Sequence, residues 1–298
     1  MDGAAVQAAA TVLPAAAMSP TLSGMTHLAQ LPSRGVVEVA GGDRVSFLQG
    51  LVSNDVTQAI PGRAVWAALL SPQGKWLSDF FVLAAGERLL LDCPREHVPM
   101  LVAKLLRFRL RAQVAVRDAS NEFLVHAAWG GTPELPPDTV AAPDPRLPEA
   151  GWRILAPAPL PADAGPAAYD THRIALGLPD AEDMEPDKTL LLEAGFDELG
   201  GVGWNKGCYM GQELTARTRY RGLVRRRLVP VAVTGPLPDS GTPVWRDGQE
   251  VGSLRSGQDA AALAMLRLDA LERGAFDCGE ARITPLVPAW MKLPQAAS

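Results

Sequence analysis

Residues 64–94 read AVWAALLSPQGKWLSDFFVLAAGERLLLDCP. Three apolar runs are parted by two short reversals, one at Gln73-Gly74 and one at Gly86-Glu87, so the stretch reads strand, turn, strand, turn, strand. Parallel strands need a crossover of a dozen or more residues, which these turns cannot supply, so the chain is α+β rather than a dinucleotide-binding βαβ fold. Just upstream, GVVEVAGGDRVSFLQGLVSNDVTQ (35–58) opens with an alternating run, Val36 to Val39, that predicts a strand ending at Gly41-Gly42. Asp43 is expected to cap a helix over RVSFLQGLV, where Val45, Leu48 and Leu51 or Val52 recur at helical spacing.

Downstream, Val98, Leu101, Val102, Leu105, Leu106 and Phe108 predict an amphipathic helix over 97–109, with Lys104, Arg107 and Arg109 on a solvated basic face. Strands are expected near 114–116, 123–127 and 152–155. The proline-rich stretch 130–150 between them is expected to be a surface loop. Tyr169 to Leu176 predicts a helix stopped by Gly177 and Pro179. From residue 222 onward short β-prone pieces alternate with Gly and Pro, and Asp247-Gly248 is a hairpin turn, so 222–298 is expected to form a small β-barrel. The expected domains are a flexible extension over 1–30, an α+β region over 31–221 and that barrel.

The 298 residues are 47% hydrophobic and 20% charged with a net charge of −5, which excludes a disordered chain and gives no overall basic charge for nucleic acid. No stretch has the roughly 18 apolar residues of a membrane span, and no membrane partner is expected. Three cysteines, Cys93, Cys208 and Cys278, cannot complete a four-cysteine cluster site within one chain. Their number and spacing also argue against a disulfide framework and favour a reducing compartment, with a cytoplasmic location expected. The alanine-rich start carries Asp2 as its only charge before residue 27, so neither a secretory nor a mitochondrial leader is read from it.

The densest group of unusual residues is NKGCYMGQELTARTRYRGLVRRR (205–227). Gly207 and Gly211 bracket Cys208, and Gln212 to Thr218 can begin a helix, so the sulfur is expected on a tight turn before a helix N-terminus. Amide N–H groups there and Lys206 would favour the thiolate. The alternative is a small buried apolar residue. Arg217, Arg219 and Arg221 would share a face in an extended segment and, with Arg225 to Arg227, could receive a glutamate tail or an acidic partner, with an RNA backbone ranked below these. Glu193, inside the apolar run LLLEAGF, must point outward or receive specific hydrogen bonds.

The stretch KGCYMGQE (206–213) resembles the cysteine signature K-G-C-[FY]-x-G-Q-E of the YgfZ family, which includes mitochondrial iron-sulfur assembly relatives, and the chain is more distantly similar to the glycine-cleavage T-protein. FLQGLVSNDV, LLSPQGKWLSDFFV, YDTHRIALGLP and LEAGF extend the likeness over about residues 34–290. The resemblance implies a T-protein-like folate-binding fold with a C-terminal β-barrel. It also implies tetrahydrofolate or a derivative as cofactor, transient contact of Cys208 with an iron-sulfur cluster, and iron-sulfur client or assembly proteins as partners, tRNA-modifying enzymes among them. Cys208 is the implied functional residue. Glu193, Lys206, Tyr209, Gln212, Arg217 and Arg219 are the candidate cofactor contacts, and no metal ligand set is expected. Ser78 departs from the pattern by standing where the T-protein carries its catalytic aspartate, so aminomethyl transfer is expected to be lost. Beside the folate-dependent assembly factor, two readings stay open: a one-carbon transferase, and an adaptor that docks acidic clients through Arg217 to Arg227.

Overall fold

The computed structural model describes residues 25–271 and 274–293. The expected features of the first 24 residues lie outside them. In chain order come β1 (His27–Gln30), β2 (Arg34–Ala40), α1 (Arg44–Gln49), β3 (Val65–Leu70), β4 (Trp76–Ala85), β5 (Arg88–Pro94) and α2 (Val98–Phe108). Next are β6 (Ala115–Asp118), β7 (Leu124–Trp129), β8 (Val140–Pro143), β9 (Trp152–Ala156), α3 (Pro166–Ala175) and α4 (Gln212–Tyr220). The chain closes with β10 (Arg226–Thr234), β11 (Pro243–Arg246), β12 (Gln249–Gln258), β13 (Ala261–Arg267), α5 (Leu268–Leu271), β14 (Phe276–Cys278) and β15 (Ala281–Pro285).

The 64–94 stretch forms the expected meander inside a five-stranded antiparallel sheet of order β3-β4-β5-β2-β6. Every residue of β3 is buried, as a strand covered on both faces requires. Val37, Val39, Phe80, Val82 and Leu91 pack on one face under α1 and α2, where Leu48, Leu101 and Leu105 are buried. The other face carries Val36, Trp66, Phe81, Leu83 and Leu90 and meets a second antiparallel sheet, β1-β7-β9-β8, together with residues 191–209. Alternation along β4 therefore decides which core each side chain enters. A bulge interrupts it: Leu69 pairs with Ser78 but Leu70 with Trp76, leaving Leu77 extra and turning Trp76 toward the same side as Asp79.

The third unit is a closed barrel, β10-β13-β12-β11-β14-β15, around Val229, Val231, Leu254, Leu266, Phe276 and Ile283. Asp247 and Gly248 turn its β11–β12 hairpin with φ of 48° and 76°, as a two-residue hairpin loop demands. Bonds from the body hold the barrel: Asp183 accepts from the Ser256 backbone N–H at 3.0 Å, and Arg255 pairs with Glu185.

Three expectations change. Residues 27–30, assigned to a flexible extension, are β1 and pair with β7. The 130–150 stretch is not all surface loop: Val140–Pro143 adds an edge strand to β9, a position where proline is tolerated, and Asp144 and Arg146 beyond it are buried as an ion pair. Asp43 makes no side-chain cap; its Oδ2 instead accepts from the Gln113 N–H at 2.7 Å and ties the start of α1 to the chain that follows α2. The far end of α1 is tied elsewhere, since the Gly50 carbonyl accepts from the Met210 N–H at 3.3 Å.

Candidate functional site

Cys208 is exposed, whereas Cys93 and Cys278 are buried, so the expectation of an accessible sulfur holds over that of a packed one. Its neighbours are fixed from below. Lys206 directs Nζ at the Gln49 and Val52 carbonyls, 2.6 Å from each, and lies 5.0 Å above the Tyr209 ring. Tyr209 is buried in the core between the sheets, and its N–H donates to Gln212 Oε1 at 3.2 Å. Met210 packs instead toward the helix-covered core. Gly211, at φ +80°, begins α4 and rests on the β3–β4 turn, where an added Cβ would lie 2.6 Å from the Ser71 carbonyl oxygen. Gly74 returns the constraint: its added Cβ would meet the Gly211 carbonyl at 2.6 Å. The two glycines let two backbones touch, and the thiol projects from a loop anchored on either side of it.

Lys206 anchors this loop through the two carbonyls that its ammonium engages. Burial pushes its pKa down to about 8, with Asp55 pulling it back up.

The other candidates are not gathered here. Glu193 is 5% exposed, and its carboxylate is closed off: Oε1 accepts from Arg226 Nε at 3.1 Å, and Oε2 from Arg226 at 3.3 Å and from the Leu190 N–H at 3.1 Å. The arginine run does not form one patch. Residues 217–220 are helical, not extended, so Arg217 pairs back to Glu213 while Arg219 stacks 4.0 Å over Trp204 and pairs with Asp197. Arg227 is buried against Glu198 and the Leu192 carbonyl. Arg221 and Arg225 are exposed.

Ser78 is fully buried with Oγ 3.0 Å from His97 Nδ1, and it shares the parity of Phe80 and Val82 under the helices. Asp79 points the opposite way, into the space between the sheets. It accepts the Trp66 indole N–H at 2.8 Å and the Trp76 indole N–H at 3.3 Å, and burial together with the nearby Asp180 charge pushes it up to about 6. Strand alternation alone puts Asp79 on the face opposite Ser78, but the sequence reading missed the ion network behind it. In that network Asp92 binds both Arg34 and Arg153, and Arg153 also reaches the Tyr169 hydroxyl at 2.9 Å. The guanidinium groups of Arg153 and Arg146 lie 4.4 and 4.8 Å from the Phe81 ring. The available signal was a carboxylate recurring at interior parity, Asp79 in LSDFF and Asp92 in LLLDCP.

Clefts among the described residues include the following pair. One of about 410 Å³ is lined by Asn54, Asp55, Arg63, Trp66 and Gly200, and one of about 490 Å³ by Thr26, Leu28, Glu134 and Leu160. Neither is lined by Glu193 or Cys208. The residues present fit a pterin poorly: both oxygens of the carboxylate that would accept its donors are already engaged by Arg226 and the Leu190 N–H, and Trp66 and Phe196 stack at 3.9 Å in the core beside the same segment. No group of three or more His, Cys, Asp or Glu side chains is arranged to hold a metal among the described residues.

Residues 225–293 match the family described as CAF17, C-terminal beta-barrel domain. The iron-sulfur cluster assembly factor IBA57 homolog, mitochondrial, of Mycosarcoma maydis is 38% identical over 256 residues, spanning 75% of this chain and 63% of that protein. The mitochondrial iron-sulfur cluster assembly factors IBA57 of Mus musculus and Homo sapiens are 32% and 33% identical, spanning 88% and 83% of this chain and 84% and 79% of theirs. Glycine cleavage system aminomethyltransferase T of Bartonella henselae superposes with a TM-score of 0.68 at 15% identity, covering 90% of this chain and 87% of that one. The last comparison shows a shared fold, as expected. The mitochondrial designation of the relatives overturns the expectation of a cytoplasmic protein.

Proposed function

Since the chain belongs to the family of the IBA57 iron-sulfur cluster assembly factors, we propose that it acts in iron-sulfur protein assembly by presenting Cys208 to a partner that carries the cluster. One observation carries this reading: the accessible cysteine stands on a loop whose following residues, Tyr209 and Met210, pack into the two cores beneath it. A single thiolate supplies one of the four ligands that common clusters take, so most of the coordination must come from the partner, with the cluster as cargo. The YgfZ-like signature over 206–213 supports the same role, and radical-type tRNA-thiolating enzymes are a client class on which to measure it. The test is Cys208→Ser in cells that depend on this chain, reading the activity of such a cluster enzyme at matched protein level. Loss of most of that activity is expected; full activity would overturn the proposal.

Tetrahydrofolate binding is a separate proposal, because Glu193 would have to exchange Arg226 for ligand donors. Titration calorimetry with tetrahydrofolate is expected to show tighter binding to Arg226→Ala than to the parent chain. Equal affinity would remove Glu193 from any folate site. Aminomethyl transfer is not proposed, since Ser78 is sealed under the helices and cannot stand in for a carboxylate.

A further inference from the structure

The end of α2 has a composition that the fold does not use. Val98, Leu101 and Leu105 face the core, yet Leu106 and Phe108 are partly exposed and Leu110 is 88% exposed. Leu110 also holds a φ of +44°, a left-handed conformation that costs a leucine free energy and that glycine would adopt without strain. A large apolar side chain kept in strain and in water calls for a use other than folding.

Arg107 and Arg109 stand between these three residues and Arg111 follows them, with Lys104 one turn earlier. Their side chains have no ion pair or hydrogen bond among the described residues, whereas Arg34, Arg88, Arg117, Arg146, Arg153 and Arg173 are all paired. No acidic residue occurs between Glu96 and Asp118, and the nearby Asp43 is bonded to the Gln113 N–H. A chain of net charge −5 thus concentrates four unpaired cations around an apolar tip.

We propose that this tip, Leu106 to Arg111, binds the surface of an anionic lipid bilayer, with Leu110 and Phe108 entering the headgroup boundary and the arginines pairing with lipid phosphates. This chemistry is that of interfacial anchors, in which apolar side chains add to attraction by a basic face. An acidic protein partner is disfavoured by area, since three part-exposed side chains fall well short of the roughly 800 Å² that each side of a stable interface contributes. Nucleic acid would engage the arginines and leave Leu110 without a role. The proposal departs from the expectation of no membrane partner, which rested on spanning segments; no helix among the described residues is long and apolar enough to cross a bilayer. It is independent of the role of Cys208.

The test is flotation of the full chain with phosphatidylcholine vesicles, with and without phosphatidylglycerol. Salt-sensitive binding to the phosphatidylglycerol vesicles is expected, together with little binding to phosphatidylcholine alone. Leu110→Gly should lower the partition about tenfold, as removal of one inserted leucine does. Each of Arg107→Glu and Arg109→Glu should lower it about fivefold or more. Because the glycine relieves strain, its melting temperature should not fall, which separates lost binding from lost folding. The idea is overturned by absence of flotation, by Leu110→Gly floating like the parent, or by single-stranded RNA binding that equals vesicle binding and ignores Leu110→Gly.

Discussion

Gly211 makes the sharpest single-residue prediction. Its left-handed backbone and its contact with the Ser71 carbonyl leave no room for a methyl group. Gly211→Ala should cost about 2–3 kcal/mol, combining strain with overpacking, and should loosen the loop. Thermal melts and the alkylation rate of Cys208 would report both effects; an unchanged melt would show that the two backbones can part freely. The same loop was the most legible part of the site in the sequence, because two glycines at fixed offsets constrain a cysteine without reference to anything distant. Glu193 was legible only in part. Its need for a specific partner could be read from its apolar neighbours, but the identity of that partner, Arg226, lies 33 residues away and depends on how the barrel docks.

At the scale of elements, the arginine run shows what a wrong secondary structure does to a functional reading. Spacing by two gathers side chains on a strand and scatters them on a helix, so α4 sends Arg217 and Arg219 to different partners. Reversal of Arg227 is therefore a poor probe of docking: it buries a negative charge beside the largely covered Glu198 and should cost about 3–5 kcal/mol. Arg221→Glu with Arg225→Glu should stay within about 0.5 kcal/mol of the parent. Urea denaturation of the two variants checks the contrast, and equal losses would place Arg227 at the surface. Strand β8 was missed for the opposite reason. Its four residues lie in proline-rich sequence, and only edge pairing with β9 makes them a strand. For the α2 tip, Leu110→Gly should melt no lower than the parent, because relief of the left-handed strain offsets the freedom that glycine adds to the unfolded chain; a lower melting temperature would show that Leu110 is not strained.

At the scale of the whole molecule, the meander and the barrel were readable because their turns are local, whereas the ion network between the sheets was not, because its members come from β2, β5, β9 and the segments after β8 and α3. That network sets the response to acid. Asp79 is raised from 3.8 to about 6, so protonation between about pH 6 and 4 adds stability as pH falls. Asp180 and Asp144 behave oppositely: burial works against them, but Arg34 and Arg173 hold the first and Arg146 the second below the usual carboxylate range, so their contribution is present above about pH 4 and lost below it. The parent chain should keep its melting temperature from neutrality to about pH 4.5 better than Asp79→Asn does; parallel profiles would show that Asp79 does not titrate there. Asp183 joins body and barrel, accepting from Ser256 on one side and Arg173 on the other. Asp183→Ala should cost about 3–5 kcal/mol and split the calorimetric transition in two, with the barrel melting apart from the body.

The short helix α1 has a geometric consequence. Six residues of α-helix span roughly 9 Å, and its two ends are pinned to the Gln113 segment on one side and to the Cys208 loop on the other. A molecule resting on lipid by Leu110 would keep its sulfur within one molecular diameter of the headgroups. Encounters with a cluster donor resting on that same plane would then be a search over an area rather than a volume.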